Sequence, residues 1–130
     1  MLKILLIDDD DIVLMIQRKL LQRCGVNKEI ISFKKGREAL DYLLDQNGNQ
    51  SFLVLLDINM PGMNGWQFLY RLAELEIQHI IQVVMVTSSI DSYDREAAVK
   101  YKNVIGFIEK PITAENCEKL KTYPSLKQFF

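Results

Sequence analysis

The chain has little of what usually carries catalysis or cross-linking. Its 130 residues include one histidine, two cysteines, three prolines and six glycines. A single histidine, His79, excludes a histidine-based triad and a multi-histidine metal site. Cys24 and Cys117 lie far apart with no paired spacing, so neither a zinc motif nor a disulfide framework is expected, and both read as reduced, buried thiols. Charge of one sign is also missing. Sixteen Lys and Arg face seventeen Asp and Glu, the formal net charge is −1, and no basic stripe appears, which argues against a nucleic-acid partner. The first apolar run, Ile4 to Ile7, is too short for a signal peptide and continues into aspartates. The expectation is a cytoplasmic protein with no membrane partner.

At 48% hydrophobic and 25% charged residues, the chain has the apolar mass for a real core, and its length suits one domain spanning 1–130. The stretch F-L-V-L-L-D-I-N-M-P-G-M-N-G-W, from Phe52 to Trp66, organises the rest. Phe52 to Leu56 is an unbroken apolar run ended by a charge, as in a central parallel strand covered on both faces. Asp57 therefore stands at a strand's carboxyl end, where open α/β sheets place their chemistry. Met60-Pro61-Gly62 and Asn64-Gly65 impose an irregular loop before a helix from Trp66 to about Glu76.

Taken in order, Lys3 to Ile7 reads as a first strand, followed by Asp8, Asp9, Asp10 and Asp11. Two carboxylates about 4 Å apart repel by roughly 4 kcal/mol at an effective dielectric near 20. A helix amino end returns only about 0.3–1 kcal/mol per charge. A divalent cation can offset the remainder, and Asp8 and Asp9, nearest the strand, are its expected ligands. Asp10 and Asp11 suit the cap and first turn of a helix from Ile12 to Arg23, closed by Gly25. Its spacing predicts Val13, Ile16 and Leu20 against the sheet. One face cannot bury the whole run Ile12 to Ile16, so Ile12, Leu14 and Met15 are expected at the surface as a docking patch.

A strand over Glu29 to Phe33 and a helix over Arg37 to Asp45, with Ala39, Leu40, Leu43 and Leu44 inward, precede the central strand. Ile80 to Val86 is another buried strand, ending at Thr87-Ser88-Ser89. A helix over Asp91 to Tyr101, with Ala97, Ala98 and Val99 apolar, leads to the last strand, Val104 to Ile108, and to Glu109-Lys110-Pro111. Thr113 caps a final short helix. Five strands alternating with five helices predict a doubly wound parallel α/β sheet.

Polar residues thus gather at four strand ends: Asp8 and Asp9, Asp57, Thr87 and Lys110. Carboxylates with a backbone carbonyl make a hard oxygen site suited to Mg²⁺. Lys110 adds a flexible ammonium and Thr87 a hydroxyl. Such a set suits phosphoryl transfer to Asp57 as an acyl phosphate.

With L-L-I-D-D-D at 5–10, L-D-I-N-M-P-G-M-N-G at 56–65, V-T-S-S at 86–89 and I-E-K-P at 108–111, the chain resembles a response-regulator receiver domain of two-component signalling over almost its whole length. The resemblance implies a flavodoxin-like sheet of strand order 2-1-3-4-5. It implies Asp57 as phosphoacceptor, and Asp8, Asp9, Asp57 and the main-chain oxygen of Asn59 as ligands of Mg²⁺, or of Mn²⁺. It implies Thr87 as the switch hydroxyl, Lys110 as phosphate partner before a cis Lys110-Pro111 bond, and Phe107 at the switch aromatic, where a tyrosine is common. Asn64 stands where an Asp is common, and either can cap a helix. The implied phosphodonor is a histidine kinase or histidine phosphotransfer protein. The implied output is a protein contact or a phosphorylation-dependent homodimer, with no output domain in the chain. An alternative from another class is a haloacid-dehalogenase-type phosphatase with Asp8 as nucleophile in Asp8-x-Asp10, Thr87 and Lys110 downstream. That reading lacks the acidic metal ligand expected after the lysine and leaves Asp57 without a role.

Overall fold

In a computed structural model describing residues Met1–Phe130, the apolar runs become β1 (Leu2–Ile7), β2 (Glu29–Phe33), β3 (Ser51–Asp57), β4 (Ile80–Thr87) and β5 (Val104–Glu109). Between and after them run α1 (Asp11–Arg23), α2 (Gly36–Asp45), α3 (Gly65–Glu74), α4 (Ser92–Ala98) and α5 (Ala114–Thr122), with a 3₁₀ turn over Lys127–Phe129. All strands are parallel, in the order β2-β1-β3-β4-β5. The flavodoxin-like sheet expected from the sequence is therefore observed. β3 lies at the centre, and every residue from Phe52 to Asp57 is buried, because helices cover both faces of a parallel sheet.

The sheet divides the apolar interior in two. On one face Leu14 and Leu21 of α1 and Cys117 and Leu120 of α5 pack on Ile4, Leu6, Leu53, Leu55, Val84 and Val86. On the other, Ala39, Leu40 and Leu43 of α2 and Phe68, Leu69 and Leu72 of α3 pack on Leu5, Ile7, Val54, Leu56, Val83 and Met85. Full burial of one such side chain as large as Phe68 contributes about 1.5–3 kcal/mol. Helix starts are fixed by side chains. Asp10 Oδ1 accepts the Ile12 and Val13 N–H groups, and Asn64, Asp91 and Thr113 each head a reciprocal capping box. Gly25 ends α1 at φ 82°, a conformation that costs glycine nothing.

Several faces differ from the sequence reading. On α1 the buried residues are Leu14, Gln17 and Leu21, not Val13, Ile16 and Leu20; Ile16 is exposed, and Val13 and Leu20 are half-buried. A continuous apolar run carries no helical period, and the cap at Asp10 turns Leu14 inward. Leu14 therefore leaves the expected surface patch, which comprises Ile12, Met15 and Ile16 instead. On α2, Leu44 faces solvent rather than the sheet. Helix α4 stops at Ala98, because the Lys100 and Tyr101 N–H groups bond to Ala97 and Ala98 carbonyls and tighten the chain into a turn. Val99 is consequently exposed. The ladder between β4 and β5 is irregular: Val83 pairs with Val104 but Val84 with Gly106, so Ile105 is an inserted residue, as in a β-bulge.

Candidate functional site

Two strand ends and the residues after two others converge at the carboxyl edge of the sheet. β1 delivers Asp8, only 1% exposed, followed by the exposed Asp9. β3 delivers Asp57 and β4 delivers Thr87, each 3% exposed. Lys110 follows β5, and its bond to Pro111 is cis, as the resemblance implied. The backbone fixes the carboxylates: Asp8 Oδ1 accepts the Asp10 N–H at 2.9 Å, and Asp57 Oδ1 accepts the Asn59 N–H at 3.2 Å. Lys110 Nζ lies 2.8 Å from Asp8 Oδ2 and 3.3 Å from Asp57 Oδ1, bridging the two buried acids. Asp57 Oδ2 takes no hydrogen bond from the protein.

This geometry shifts protons in a consistent direction. Burial, then the nearby Asp8 carboxylate, raises the Asp57 carboxyl above its usual range, opposed by Lys110 and the Asn59 N–H. Burial alone would lower the Lys110 ammonium, but its bond to Asp8 and the charges of Asp8 and Asp57 raise it above the lysine range. Lys110 therefore stays charged, and one ammonium against the three carboxylates of Asp8, Asp9 and Asp57 leaves the cluster two positive charges short.

A cation fits that deficit. One carboxylate oxygen each from Asp8, Asp9 and Asp57 lie within 4.8 Å of one another, a hard-oxygen donor set of the kind that holds Mg²⁺. Asp9, being exposed, leaves the group open to solvent on one side, and Mg²⁺ characteristically keeps several waters.

The remaining predicted residues stand slightly apart. The Thr87 hydroxyl makes no bond to Asp57; it donates to the Ser89 carbonyl at 3.3 Å and accepts the Ser89 N–H at 3.4 Å. Phe107 is half-buried, with the Arg95 guanidinium 5.9 Å from its ring centroid. The sequence reading did not single out Arg95. Nor did it place Asp94, which is buried at the start of α4 with its backbone N–H bonded to Asp91 at 2.9 Å. The Asp91-x-x-Asp94 spacing was the available signal for that capping box. Trp66 stacks on Tyr101 with centroids 6.4 Å apart, joining the first turn of α3 to the chain beyond α4.

The model of the response regulator receiver domain family matches residues 4–121. The chain belongs to this family. The receiver is 30% identical over 131 residues to the "Probable methanogenesis regulatory protein FilR2" of Methanothrix harundinacea, covering 98% of this chain and 82% of that protein. It is 32% identical over 119 residues to the "Two-component response regulator-like PRR37" of rice, covering 92% of this chain but 16% of that longer protein. Among solved structures it is similar to a two-component response regulator from Cytophaga hutchinsonii, with a TM-score of 0.75, 29% identity, and coverage of 91% of this chain and 92% of that one. Receiver domains are signalling domains that interact with histidine kinases or phosphotransfer proteins and bind Mg²⁺ at an acidic pocket, and here Asp8, Asp9 and Asp57 form a cluster that could hold a metal. Membership of this family removes the ground for the haloacid-dehalogenase alternative. No helix of the receiver is long and apolar enough to cross a membrane.

Proposed function

We propose that this receiver accepts a phosphoryl group on Asp57 from a histidine kinase or histidine phosphotransfer protein and passes the signal on by a protein contact. The carrying observation is a buried strand-end carboxylate whose Oδ1 is held by Lys110 and the Asn59 N–H while Oδ2 has no protein partner. In the transfer, Asp57 Oδ2 forms the new P–O bond as the P–N bond to the donor imidazole breaks, its electron pair returning to nitrogen. Lys110 supplies the positive charge that the added phosphoryl oxygens require. Asp8, Asp9, Asp57 and the main-chain oxygen of Asn59 would hold Mg²⁺ or Mn²⁺, which neutralises further charge on those oxygens. Incubation with a small acyl phosphate and Mg²⁺ should add one phosphate to the intact mass, and Asp57→Asn should remove that adduct. An adduct that persists in Asp57→Asn would place the acceptor elsewhere.

Metal binding has its own expected result. Mg²⁺ should raise Tm, because it binds only the folded cluster. Asp9→Ala should abolish that rise yet stabilise the metal-free protein by about 1 kcal/mol, since one repelling charge is gone. Thermal melts with and without Mg²⁺ check both signs, and a Mg²⁺ response retained in Asp9→Ala would refute the ligand assignment.

The output proceeds through the Thr87 hydroxyl and the Phe107 ring, with α4, β5 and α5 as the face that changes. A hydrogen bond to a charged group contributes about 1.5–3 kcal/mol, whereas moving an equilibrium from 1:99 to 99:1 takes roughly 5.5 kcal/mol. Thr87 and Lys110 must therefore act together on the phosphate. Amide NMR shifts on phosphorylation are expected over residues 88–101 and at Phe107, reduced in Thr87→Ala; shifts confined to the Asp57 loops would exclude this face. A phosphorylation-dependent homodimer would use the same face and would appear as a mass change in sedimentation. Ile12, Met15 and Ile16, exposed beside the acids, form the docking patch for a helical, histidine-bearing donor. Met15→Ser with Ile16→Ser should slow transfer from such a donor about tenfold, a loss of roughly 1.4 kcal/mol, and leave acyl-phosphate labelling intact. Equal loss with both donors would point to a damaged site instead.

A further inference from the structure

The two cysteines, far apart in sequence, are brought together where the end of α1 meets α5. Cys117 is fully buried in the core beneath these helices, and half-buried Cys24, the residue that caps α1, packs against the same cluster. Both thiols pack in one apolar cluster, and neither is in a disulfide. Lys121, one turn beyond Cys117 on α5, donates its ammonium to the Cys24 carbonyl and pairs with Glu118 at 3.3 Å. That ammonium also lies 3.9 Å from where a side chain on Gly25 would begin. A side-chain-to-backbone bond thus holds α5, which carries Cys117, against the end of α1, which carries Cys24. None of these residues belongs to the phosphoryl site.

We infer that Cys24 and Cys117 form a reversible disulfide by exchange with a low-molecular-weight disulfide, tying the end of α1 to α5. Cys24 is half-buried where Cys117 is fully buried, so its sulfur reacts first. Its thiolate attacks one sulfur of the small disulfide, the S–S bond breaks, and one small thiolate leaves. Cys117 then loses its proton and attacks Cys24 Sγ, expelling the second small thiolate. The two protein thiols give up two protons and two electrons, and the small disulfide becomes two thiols. Burial, then the hydrogen bond and charge of Cys24, push the Cys117 thiol up to about 12, with Glu118 adding to the effect and Lys121 opposing it. In the oxidised form α5 is fastened to α1 covalently, which restrains the helix that the proposed output face uses.

The test uses the full chain with glutathione disulfide at pH 8, followed by intact mass and peptide mapping. The expected result is a Cys24–Cys117 link, seen as loss of two hydrogens, reversed by dithiothreitol and accompanied by a higher Tm. It should form at least tenfold faster in the folded chain than in urea, because the fold places the sulfurs together. Cys24→Ser should give no link, and Cys117→Ala should stop at a glutathione adduct on Cys24. A stable mixed adduct in the wild-type chain overturns the inference, as does a link that forms no faster folded than unfolded. The comparison of folded with unfolded wild-type chain decides the matter even if a cysteine variant fails to fold.

Discussion

Lys110→Ala is expected to lower the stability of the metal-free receiver by about 3 kcal/mol, near the lower end for removing one partner of a buried pair because the lysine keeps some solvent contact. The ammonium touches both Asp8 and Asp57, whose side chains are only 2% and 4% exposed. Without it two neighbouring carboxylates face each other with no cation. The pH dependence identifies the cause. In the wild-type chain the Lys110 ammonium is raised, so its contribution is fully present below the ordinary lysine value of 10.5 and is lost only as pH rises through the higher folded value. Asp57 is raised above 3.8 even with the lysine present. In the variant that rise must grow, so the destabilisation is present while the acids are ionised and is relieved as pH falls and they take up protons. Urea unfolding of both proteins across pH 4 to 8 should show a gap that is widest near neutrality and narrows towards acid. A gap independent of pH would assign the loss to packing of the lysine stem. Mg²⁺ should recover part of the stability at neutral pH without restoring the phosphate adduct, because the cation replaces charge but not the ammonium beside the new phosphate.

Gly65→Ala carries the second large effect. A Cβ on Gly65 would lie 2.8 Å from the Asp57 carbonyl oxygen, 3.0 Å from Ile58 Cα and 3.2 Å from Met85 Cε. Two of these neighbours are backbone and cannot swing aside. The Gly65 N–H also bonds to the Ile58 carbonyl at 2.9 Å, so glycine lets the start of α3 close directly onto Asp57 and Ile58. Overpacking of this kind costs about 1–3 kcal/mol, and the strain falls on the Asp57 loop. The variant should lose stability in that range and accept phosphate from an acyl phosphate at least tenfold more slowly. Unchanged labelling alongside the stability loss would show that the loop relaxes away from the carboxylate. Gly106→Ala makes the contrast: its Cβ would meet the Tyr123 hydroxyl, the far end of a side chain that can move, so a smaller loss is expected in the same urea titration.

The strands and the acid cluster were readable from sequence because each is written in adjacent residues. Phe52 to Leu56 has only one way to be buried on both faces, Asp8, Asp57 and Thr87 each directly follow such a run, and Lys110 stands two residues beyond one. What escaped depends on contacts the sequence does not contain. Ile12 to Ile16 is apolar throughout, so its inward residue could not be chosen by period; Leu14 and Leu21, seven apart, were the better guide, and the polar Gln17 between them obscured it. Leu43 and Leu44 pose the same ambiguity at the end of α2, where the last turn leaves the sheet. Arg95 could not be matched with Phe107, nor Cys24 with Cys117, before the strand order set α4 beside β5 and α5 beside α1.

The inserted Ile105 decides which way the Phe107 ring points. Side chains alternate along a strand, so parity of residue number ordinarily assigns the face. Val104 and Phe107, one even and one odd, nevertheless pack on the same side as Val83 and Met85, while Ile105 and Ile108 share the other side with Val84 and Val86. The bulge breaks parity once, between Val104 and Phe107. Thr87, which continues the odd series of Val83 and Met85, therefore shares a face with Phe107. In a β5 of even alternation the ring would lie across the sheet from the hydroxyl, under α1 and α5. The shared face thus depends on the bulge: with the same residues in regular register from Val104 the ring would fall opposite Val86, whereas a strand shortened by Ile105 would keep it opposite Met85.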